Sequence, residues 1–514
     1  MFKFALFARA IGSKVVMAAI QQSSGEGALY ELAARGKKDA FFLEDKPGSV
    51  YPYYSFDETA IPYITERRIV VPKTEPGFGA TFEIELDTFG DLVTECNLLI
   101  NLPTWLPDNM VIVSGQQPTT ASRVNNYYHI KSSVADVSYG YVNYPGYFLF
   151  SKIQFYQDQF LIQEWSGDSL FATSATEGSW NSVFMDQVAA GFVQDDKESR
   201  GVALRATPDT LRLKLPIPGV QARGDSGFPI CCSPDQKFRF RIQLRKLEEL
   251  VVSSDKAVRP EPWNVPSFKY VAENSSGVGT TLIEVVPKSR DEIGAPSILL
   301  EMVQAYIPEQ IKKRLISMHM KIPFKKHFEN IHTFGPSDYD PIHGGGTSVV
   351  TRRLEGRHPA ERVVFFFRSE NSILTNYLDD FTDPSGTNVM NSTGGGQFYK
   401  KMKFLIAGVD REREWDAFVF QDINAYAKDV RDSGFNIGEM RWDLGDVWER
   451  EKPSKIKQPE GAINFTNADR PTLRIALEPV PKGSSVPRSE MHVIIDSWNV
   501  YEFNDGRGRL MFSN

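Results

Sequence analysis

Cysteine is scarce in this sequence, and its scarcity excludes a fold held together by disulfide bonds. The chain of 514 residues contains three cysteines, Cys96, Cys231 and Cys232. The neighbouring pair could form a bridge only with strain, and no cysteine has the CxxC spacing of zinc or redox sites. The pattern favours a reducing compartment such as the cytosol.

Long apolar runs and an excess of positive charge are also missing. No stretch approaches the roughly 20 apolar residues that a membrane-spanning helix needs. The formal net charge is −7, whereas a protein that wraps nucleic acid needs a concentrated positive surface. We therefore expect no direct genome binding. The length exceeds that of one ordinary core and predicts two domains, or three.

Two stretches resemble catalytic loops, but neither has the partners that catalysis needs. "GDSGFP" (224–229) is similar to the nucleophile loop of chymotrypsin-like proteases, which requires a histidine base and a carboxylate. The one histidine upstream is His129, in an unrelated context. "HGGG" (343–346) is similar to the oxyanion loop of lipases, which also need a Gly-x-Ser-x-Gly elbow that this sequence lacks. We predict no enzyme and no cofactor.

Metal-ligand spacing is missing as well. His319, His327 and His332 fit neither HExxH nor a zinc finger, and Asp338 and Asp340 lack the spacing of a calcium loop. We predict no metal site. One enzymatic alternative stays open, a carbohydrate-active β-sandwich or lectin, because sequence cannot show whether two carboxylates face each other across a cleft.

Alternation with a period of two is the dominant pattern of the chain. In "KFRFRIQLR" (237–245), Phe238, Phe240 and Ile242 point one way while Arg239 and Arg241 point the other. This is typical of a half-buried antiparallel strand. "TFEIELD", "SMHMKI" and "MHVIIDSWNVYEF" alternate in the same way, and "NLLINLP" and "RVVFFFR" are typical of strands buried on both faces. The pattern predicts an all-β protein.

Helical patterns are few, and one weak region divides the chain. "PEQIKKRLI" predicts a short helix with Pro308 at its first position, and "GALYELAARG" predicts another that ends at Gly36. Alternation weakens over residues 253–294, which we interpret as a linker. The expected order is an N-terminal arm (1–26), a first domain (27–252), the linker and a second domain (295–514). Long loops are expected at 174–205, 332–356 and 375–396, and the two halves could be diverged copies of one fold.

A turn near the end of the chain has an unusual composition. In "PEGAINFTNADRPTLRIAL" (459–477), Pro459 and Gly461 interrupt regular structure, and Asn464 can hydrogen-bond turn backbone groups. We expect Phe465 to anchor this corner in a core before the strand that begins near Leu473.

Several such stretches, taken in order, resemble segments of the major capsid proteins of nucleocytoplasmic large DNA viruses. At two places the chain departs from that pattern: Phe89 stands where arginine or asparagine is usual, and Gln157-Asp158 replaces paired glycines, so the chain is identified as a divergent member. The matching residues that we take as a structural motif are Asp39, Gly90, Asp91, Asn143, Gly146, Gly408, Asp410, Arg411, Asn464, Phe465, Asp469, Asn499 and Gly508.

The resemblance implies a double jelly roll, with two eight-stranded antiparallel sandwiches, long loop insertions and a few short helices. It implies a homotrimer that forms a pseudo-hexameric capsomer, and capsomers that tile an icosahedral shell. The expected partners are further copies of the chain, neighbouring capsomers, penton and minor capsid proteins, and an internal membrane met by the arm. The expected location is the virion, assembled in the host cytoplasm. A poxvirus-type scaffold that shapes the membrane of immature virions is the related alternative.

Overall fold

The structure is a computed structural model, and part of the chain is described. The described residues are 63–106, 131–132, 137, 139–176, 210–220, 227–253, 255, 258–273, 280–339, 348–382, 396–423, 435–442, 461–478 and 488–512. The predicted arm (1–26), the helix predicted for "GALYELAARG", and Asp39 lie outside these ranges.

Antiparallel strands form most of the described chain, as the alternating pattern predicts. In chain order they are β1 (Ile64–Val70), β2 (Thr81–Glu85), β3 (Leu92–Asn101), β4 (Lys131–Ser132), β5 (Tyr139–Tyr141), β6 (Phe150–Gln157), β7 (Phe160–Trp165), β8 (Leu211–Lys214), β9 (Phe238–Leu244), β10 (Val251–Ser253), β11 (Phe268–Glu273), β12 (Thr280–Val285), β13 (Ser297–Tyr306), β14 (Met320–Phe334), β15 (Val349–Arg353), β16 (Pro359–Ser369), β17 (Tyr399–Ile406), β18 (Val409–Asp416), β19 (Ile437–Arg441), β20 (Ile463–Asn464), β21 (Thr472–Leu477), β22 (Ser489–Asn504) and β23 (Arg507–Leu510).

Helices are short and join the strands. They are α1 (Pro145–Phe148), α2 (Gly167–Ala175), α3 (Glu309–Ser317) and α4 (Glu370–Leu374), with 3-10 turns at Ile230–Cys232, Leu247–Glu249, Pro262–Asn264, Arg290–Glu292 and Pro336–Asp338 and a π turn at Val419–Ile423. The predicted helix near Pro308 is α3, and Pro308 is its N-cap rather than its first residue. Within the described part of the chain, no helix is both long and apolar enough to cross a membrane.

The first half folds as a sandwich of two four-stranded sheets. One sheet has the order β1-β13-β3-β8 and the other β2-β9-β6-β7. Numbered along the chain, these eight strands lie in the orders 1-8-3-6 and 2-7-4-5. The apolar side chains of β9 alternate with its polar ones in burial, as predicted, and they pack between the two sheets.

The second half repeats this arrangement. Its sheets have the orders β14-β22-β16-β19 and β15-β21-β17-β18, which again read 1-8-3-6 and 2-7-4-5 along the chain. The described pairings in these sheets are antiparallel. The two halves are therefore copies of one topology, and the chain is an all-β double jelly roll.

The position of β13 corrects the predicted boundary. The segment "SILLEMVQAYI" was predicted to belong to the second domain, but Ser297 pairs with Asn101 and Ala305 with Leu92. β13 is thus the eighth strand of the first sandwich, and the chain passes to the second sandwich through α3. The predicted linker also contains β11 and β12. Alternation identifies a strand but not its partner, which here is about two hundred residues away.

The predicted loop at 332–356 is also shorter than expected. β14 continues to Phe334 and β15 begins at Val349. Residues 340–347 lie outside the described residues. The predicted start of the loop at 174–205 is two residues too early, because α2 extends to Ala175.

Candidate functional site: the charged junction between the two sandwiches

The sheet β14-β22-β16-β19 presents two chemically different faces. Val363, Phe365 and Ile495 lie on one face and belong to the core of the second sandwich. Their neighbours in sequence, Val364 and Ile494, lie on the other face and pack with the core of the first sandwich. This sheet is therefore covered on both sides, and its outer face forms the junction between the two jelly rolls.

Charged side chains lie among the apolar ones on the junction face. Arg362 and Asp496 are each 1% exposed, and Arg362 Nε donates to Asp496 Oδ2 over 2.6 Å. Arg362 Nη1 lies 3.2 Å from Glu439 Oε1, and His327 Nε2 lies 2.8 Å from Asp496 Oδ1. Each of these residues comes from a different strand of the sheet, so the ion pairs follow the register of the strands.

The charges of this cluster keep Asp496 ionised. Burial works to raise the pKa of its carboxyl group, but the positive charge of Arg362 and the contact with His327 outweigh burial and hold the pKa well below its usual range. A buried charge is tolerated only when it is paired and hydrogen-bonded. Asp496 meets that condition through Oδ2, which accepts from Arg362 Nε, while its Oδ1 faces His327 Nε2.

Helix α2 of the first sandwich begins with a capping box formed by Ser166 and Ser169. Ser166 Oγ accepts from the backbone N–H of Ser169, and Ser169 Oγ accepts from that of Ser166. This reciprocal pair is a capping box, which satisfies two donors at the start of a helix. Gly167 follows, and a Cβ atom there would collide with the carbonyl oxygen of Tyr147. The glycine allows α2 to press against the backbone of α1.

Each end of α2 meets an arginine of β16 in the second sandwich. At the first turn, Asp168 Oδ1 accepts from Arg368 Nη2 over 2.8 Å, and its other oxygen binds Arg245. At the last turn, the hydroxyl of Thr176 accepts from Arg362 Nη1 over 3.1 Å. A carboxylate at a helix N-terminus and a guanidinium at the C-terminus both match the helix dipole.

Asp168 is fully enclosed by these partners. Burial favours a higher pKa, but the charges of Arg245 and Arg368 prevail and hold the pKa of its carboxyl group well below its usual range. Because Arg245 belongs to the first sandwich and Arg368 to the second, one carboxylate joins the two halves.

A second contact lies at the other end of the long β14–β22 pair. Gly508, the second residue of β23, donates from its N–H to Gln236 Oε1 over 2.7 Å. Its carbonyl oxygen accepts from Gln157 Nε2 over 2.6 Å. The hydroxyl of Tyr501 donates to Gln157 Oε1 over 2.5 Å. A Cβ atom at Gly508 would collide with the hydroxyl of Tyr501, so this hydrogen-bonded cluster requires glycine. Asn499 holds the chain beyond β23 by donating to the carbonyl oxygen of Phe512 over 3.2 Å.

Side-chain amides make a third contact between the halves. Asn143 Nδ2 donates to Asp379 Oδ2 over 2.8 Å, and Asn376 Nδ2 donates to the carbonyl oxygen of Val251 over 2.7 Å. Burial raises the pKa of Asp379 despite the contact with Asn143. Gly146 lies buried in α1, next to Asn143.

Gly90 and Asp91, two further residues of the predicted structural motif, anchor the connection between the sandwiches. The N–H of Gly90 donates to Gln304 Oε1 over 2.8 Å. Asp91 accepts from the N–H of Ile307 over 2.9 Å and from Lys312 Nζ over 2.8 Å. The N–H of Gly90 and the carboxylate of Asp91 thus hold β13 and α3, which carry the chain from one jelly roll to the next.

Other predicted residues lie together in the second sandwich, away from the junction. Gly408 adopts φ +77° in the β17–β18 turn, Asp410 lies 3.1 Å from Lys403 Nζ, and Arg411 is exposed. The backbone N–H of Ala407 in this turn donates to the carbonyl oxygen of Asp469 over 2.7 Å. Two motifs that are distant in sequence therefore share one corner.

Phe465 anchors that corner, as predicted. It is 3% exposed, and its ring centroid lies 5.9 Å from that of Phe404 and 6.2 Å from that of Trp442. Asn464 Oδ1 accepts from the N–H of Thr466 over 3.0 Å, which is the expected side-chain turn.

The stretches that resemble catalytic loops contribute no described catalytic group. Phe228 is buried, and its backbone bonds Val93; residues 224–226 and 343–346 lie outside the described ranges. Of the three histidines, His327 pairs with Asp496 and His319 with Glu502. Among described residues, no group of three metal-binding side chains converges. The buried carboxylates Asp168 and Asp496 serve ion pairs rather than a cleft.

The sequence analysis did not identify the charged residues of the junction. A signal was present, because Asp496 interrupts the apolar run of β22, and Arg362 and Arg368 flank the run in β16 at a spacing that puts both on one face. Charges inside apolar strands indicate a buried ion pair or an interface.

Comparisons by sequence find no relative, since no family model and no curated protein matches the chain. Comparison of structures finds proteins with a similar fold. The fold is similar to that of VP54 of PBCV-1, whose crystal structure was fitted into a reconstruction of the virophage Sputnik, with a TM-score of 0.61, 13% identity, and 89% of this chain and 98% of that chain covered. The Faustovirus major capsid protein matches with a TM-score of 0.52, 11% identity, and coverage of 87% and 91%.

A quasi-atomic model of the PBCV-1 virus capsid matches with a TM-score of 0.60, 13% identity, and coverage of 89% and 98%. The predicted resemblance to major capsid proteins of nucleocytoplasmic large DNA viruses is confirmed in the fold. At these identities the likeness is one of architecture.

Proposed function

We propose that this chain is the structural major capsid protein of a nucleocytoplasmic large DNA virus. The observation that carries the proposal is the pair of jelly rolls with identical strand order, 1-8-3-6 and 2-7-4-5, in one chain. The structural likeness to VP54 and to the Faustovirus protein over nearly the whole chain supports it. A non-enzymatic role and a place in the virion shell follow from this proposal.

The junction suits such a role because a shell needs subunits of fixed shape. Domains that meet through small, exposed interfaces usually move relative to each other. Here the two sandwiches share buried ion pairs, hydrogen bonds and a continuous apolar core. Three such chains closing around a threefold axis would give a pseudo-hexameric capsomer, and capsomers of this kind would tile an icosahedral shell.

Light scattering coupled to size-exclusion chromatography tests the assembly step. The full chain should elute as a trimer whose mass stays constant over a hundredfold range of concentration. A monomer at all concentrations would contradict the capsomer. Phe160→Ala is the control variant, because Phe160 is the first residue of β7 and its side chain is exposed, so its loss should leave the trimer intact.

Particle purification distinguishes the capsid role from the scaffold alternative. A capsid protein should be abundant in mature virions, whereas a scaffold should be present on immature particles and lost from mature ones. We further propose that the partners are neighbouring capsomers and penton and minor capsid proteins, that residues 1–26 face an internal membrane, and that assembly occurs in the host cytoplasm. Crosslinking of purified particles would identify each partner.

A further inference from the structure

Strand β18 is an unusual edge strand. It lies at the end of its sheet, beyond β17. Seven of its eight residues are exposed, and Glu412 is half-buried. Both of its faces are therefore open to solvent, and no described strand pairs with its outer backbone groups. An edge of this length is a template on which another chain can add a strand.

The backbone of β18 is irregular in a way that opposes such addition. Its pairing with β17 shifts register twice, between Met402 and Phe404 and again between Phe404 and Leu405. Each shift places an extra residue in β18 opposite β17. A bulge bends the strand, increases its twist and interrupts the regular spacing of N–H and C=O groups. A straight partner strand could not follow this edge over its length.

Six of the eight side chains of β18 are charged, and Asp410 and Glu412 make contacts within the β17–β18 hairpin. The strand reads "VDREREWD". Lys403 Nζ lies 3.1 Å from Asp410 Oδ1, and Glu412 Oε1 accepts from Trp415 Nε1 over 2.9 Å. Charged side chains on an edge strand disfavour strand addition because the added strand would desolvate them.

The other long edge of the second sandwich, β14, has a different protection. Pro323 lies within it and has no N–H to donate. The carbonyl oxygen of Lys325 accepts from Gln163 Nε2 of the first sandwich over 2.8 Å. One side chain of the same molecule thus occupies an acceptor that an added strand would need.

We infer that two edges of the second jelly roll, β18 above all and β14, prevent a second copy of this chain from adding a strand to them. At these edges copies of the chain then meet through side-chain faces, and no sheet runs across them from one copy into the next. This inference concerns contacts between copies and stands whether or not the copies form a shell.

Hydrogen exchange of the unmodified full chain tests the inference directly. Amides of residues 409–416 that do not bond to β17 should exchange at the same rate in dilute and in concentrated, associated protein. A tenfold or greater slowing of these amides on association would overturn the inference. The trimer measurement is separate, so a failure here does not depend on the capsid proposal.

A charge-removal variant supplies the second test. Arg411→Thr, Glu412→Thr, Arg413→Thr and Glu414→Thr together leave the net charge unchanged and raise strand propensity. At high concentration the weight-average mass should rise at least twofold above that of the unmodified chain, with new protection in β18. A folded variant that keeps the unmodified mass would overturn the inference. If the variant does not fold, hydrogen exchange of the unmodified chain alone determines whether the inference holds.

The matched control removes one charge of each sign from strands that already have neighbours on both sides. Glu95→Thr in β3 with Arg474→Thr in β21 should leave the mass unchanged. Association of this control as strong as that of the β18 variant would show that charge loss alone causes it, and would also overturn the inference.

Discussion

Arg368 of β16 donates to Asp168 of α2 over 2.8 Å, and this ion pair connects the second jelly roll to a helix of the first. Both side chains are buried. Removing one partner of a buried pair leaves the other charge uncompensated, which costs about 3–5 kcal/mol. Arg368→Met should therefore lower the free energy of unfolding by about 3 kcal/mol, because Arg245 still neutralises Asp168 in part.

Urea unfolding of the full chain measures this change. Arg290→Met is the control, since Arg290 pairs with Glu248 on the surface, where such pairs contribute about 0–1 kcal/mol. Equal effects of the two substitutions would show that the junction pair adds nothing to stability.

The contribution of the Asp168–Arg368 ion pair to the free energy of unfolding should decrease at low pH. The pKa of Asp168 is lower in the folded chain than in the unfolded one. Its stabilising contribution is therefore complete above the unfolded pKa of about 3.9 and is lost as the pH falls through the folded value. Asp168→Asn lacks that contribution at every pH. The difference in unfolding free energy between the two chains should be full at pH 7 and shrink below about pH 4. A constant difference would contradict the assigned pKa direction.

Gly508→Ala tests the hydrogen-bonded cluster that Gly508 and Tyr501 form with Gln157 and Gln236 of the first jelly roll. The new methyl group would collide with the hydroxyl of Tyr501, and forced overpacking costs about 1–3 kcal/mol. The change should lower the unfolding temperature measured by calorimetry. At Gly294, where a Cβ atom meets nothing within 4 Å, the same substitution should have little effect.

Phe465→Ala tests the corner before β21. Loss of a buried phenylalanine usually costs about 3–5 kcal/mol because a cavity remains. We expect a lower free energy of unfolding in urea and a lower yield of trimer. Phe160→Ala, at a side chain that is 75% exposed, is the control. An unchanged trimer yield and stability for Phe465→Ala would show that the corner is not a structural anchor.

The parts of the fold that sequence predicted are those set by local chemistry. The alternation of β9 follows directly from Phe238 and its neighbours, and the corner at Phe465 follows from proline, glycine and asparagine nearby. The partner of β13 could not be predicted in this way. Its hydrogen bonds to β3 join residues such as Ser297 and Asn101, and nothing in either segment alone identifies the other.

The junction was missed for a related reason. Arg362, Arg368 and Asp496 are unusual where they stand, but each has its partner on another strand or in the other sandwich. A single charge in an apolar run indicates that a partner exists, and only the packing of two complete domains shows which one it is.

Helix α2 also fixes how the two jelly rolls are placed against each other. Its first turn contacts Arg368 through Asp168, and Thr176, just after its last residue, contacts Arg362. Both arginines lie on β16, six residues apart. Contacts at two separate points of one strand resist rotation of one domain against the other, which a single contact would allow. A helix of nine residues therefore fastens two domains at two points.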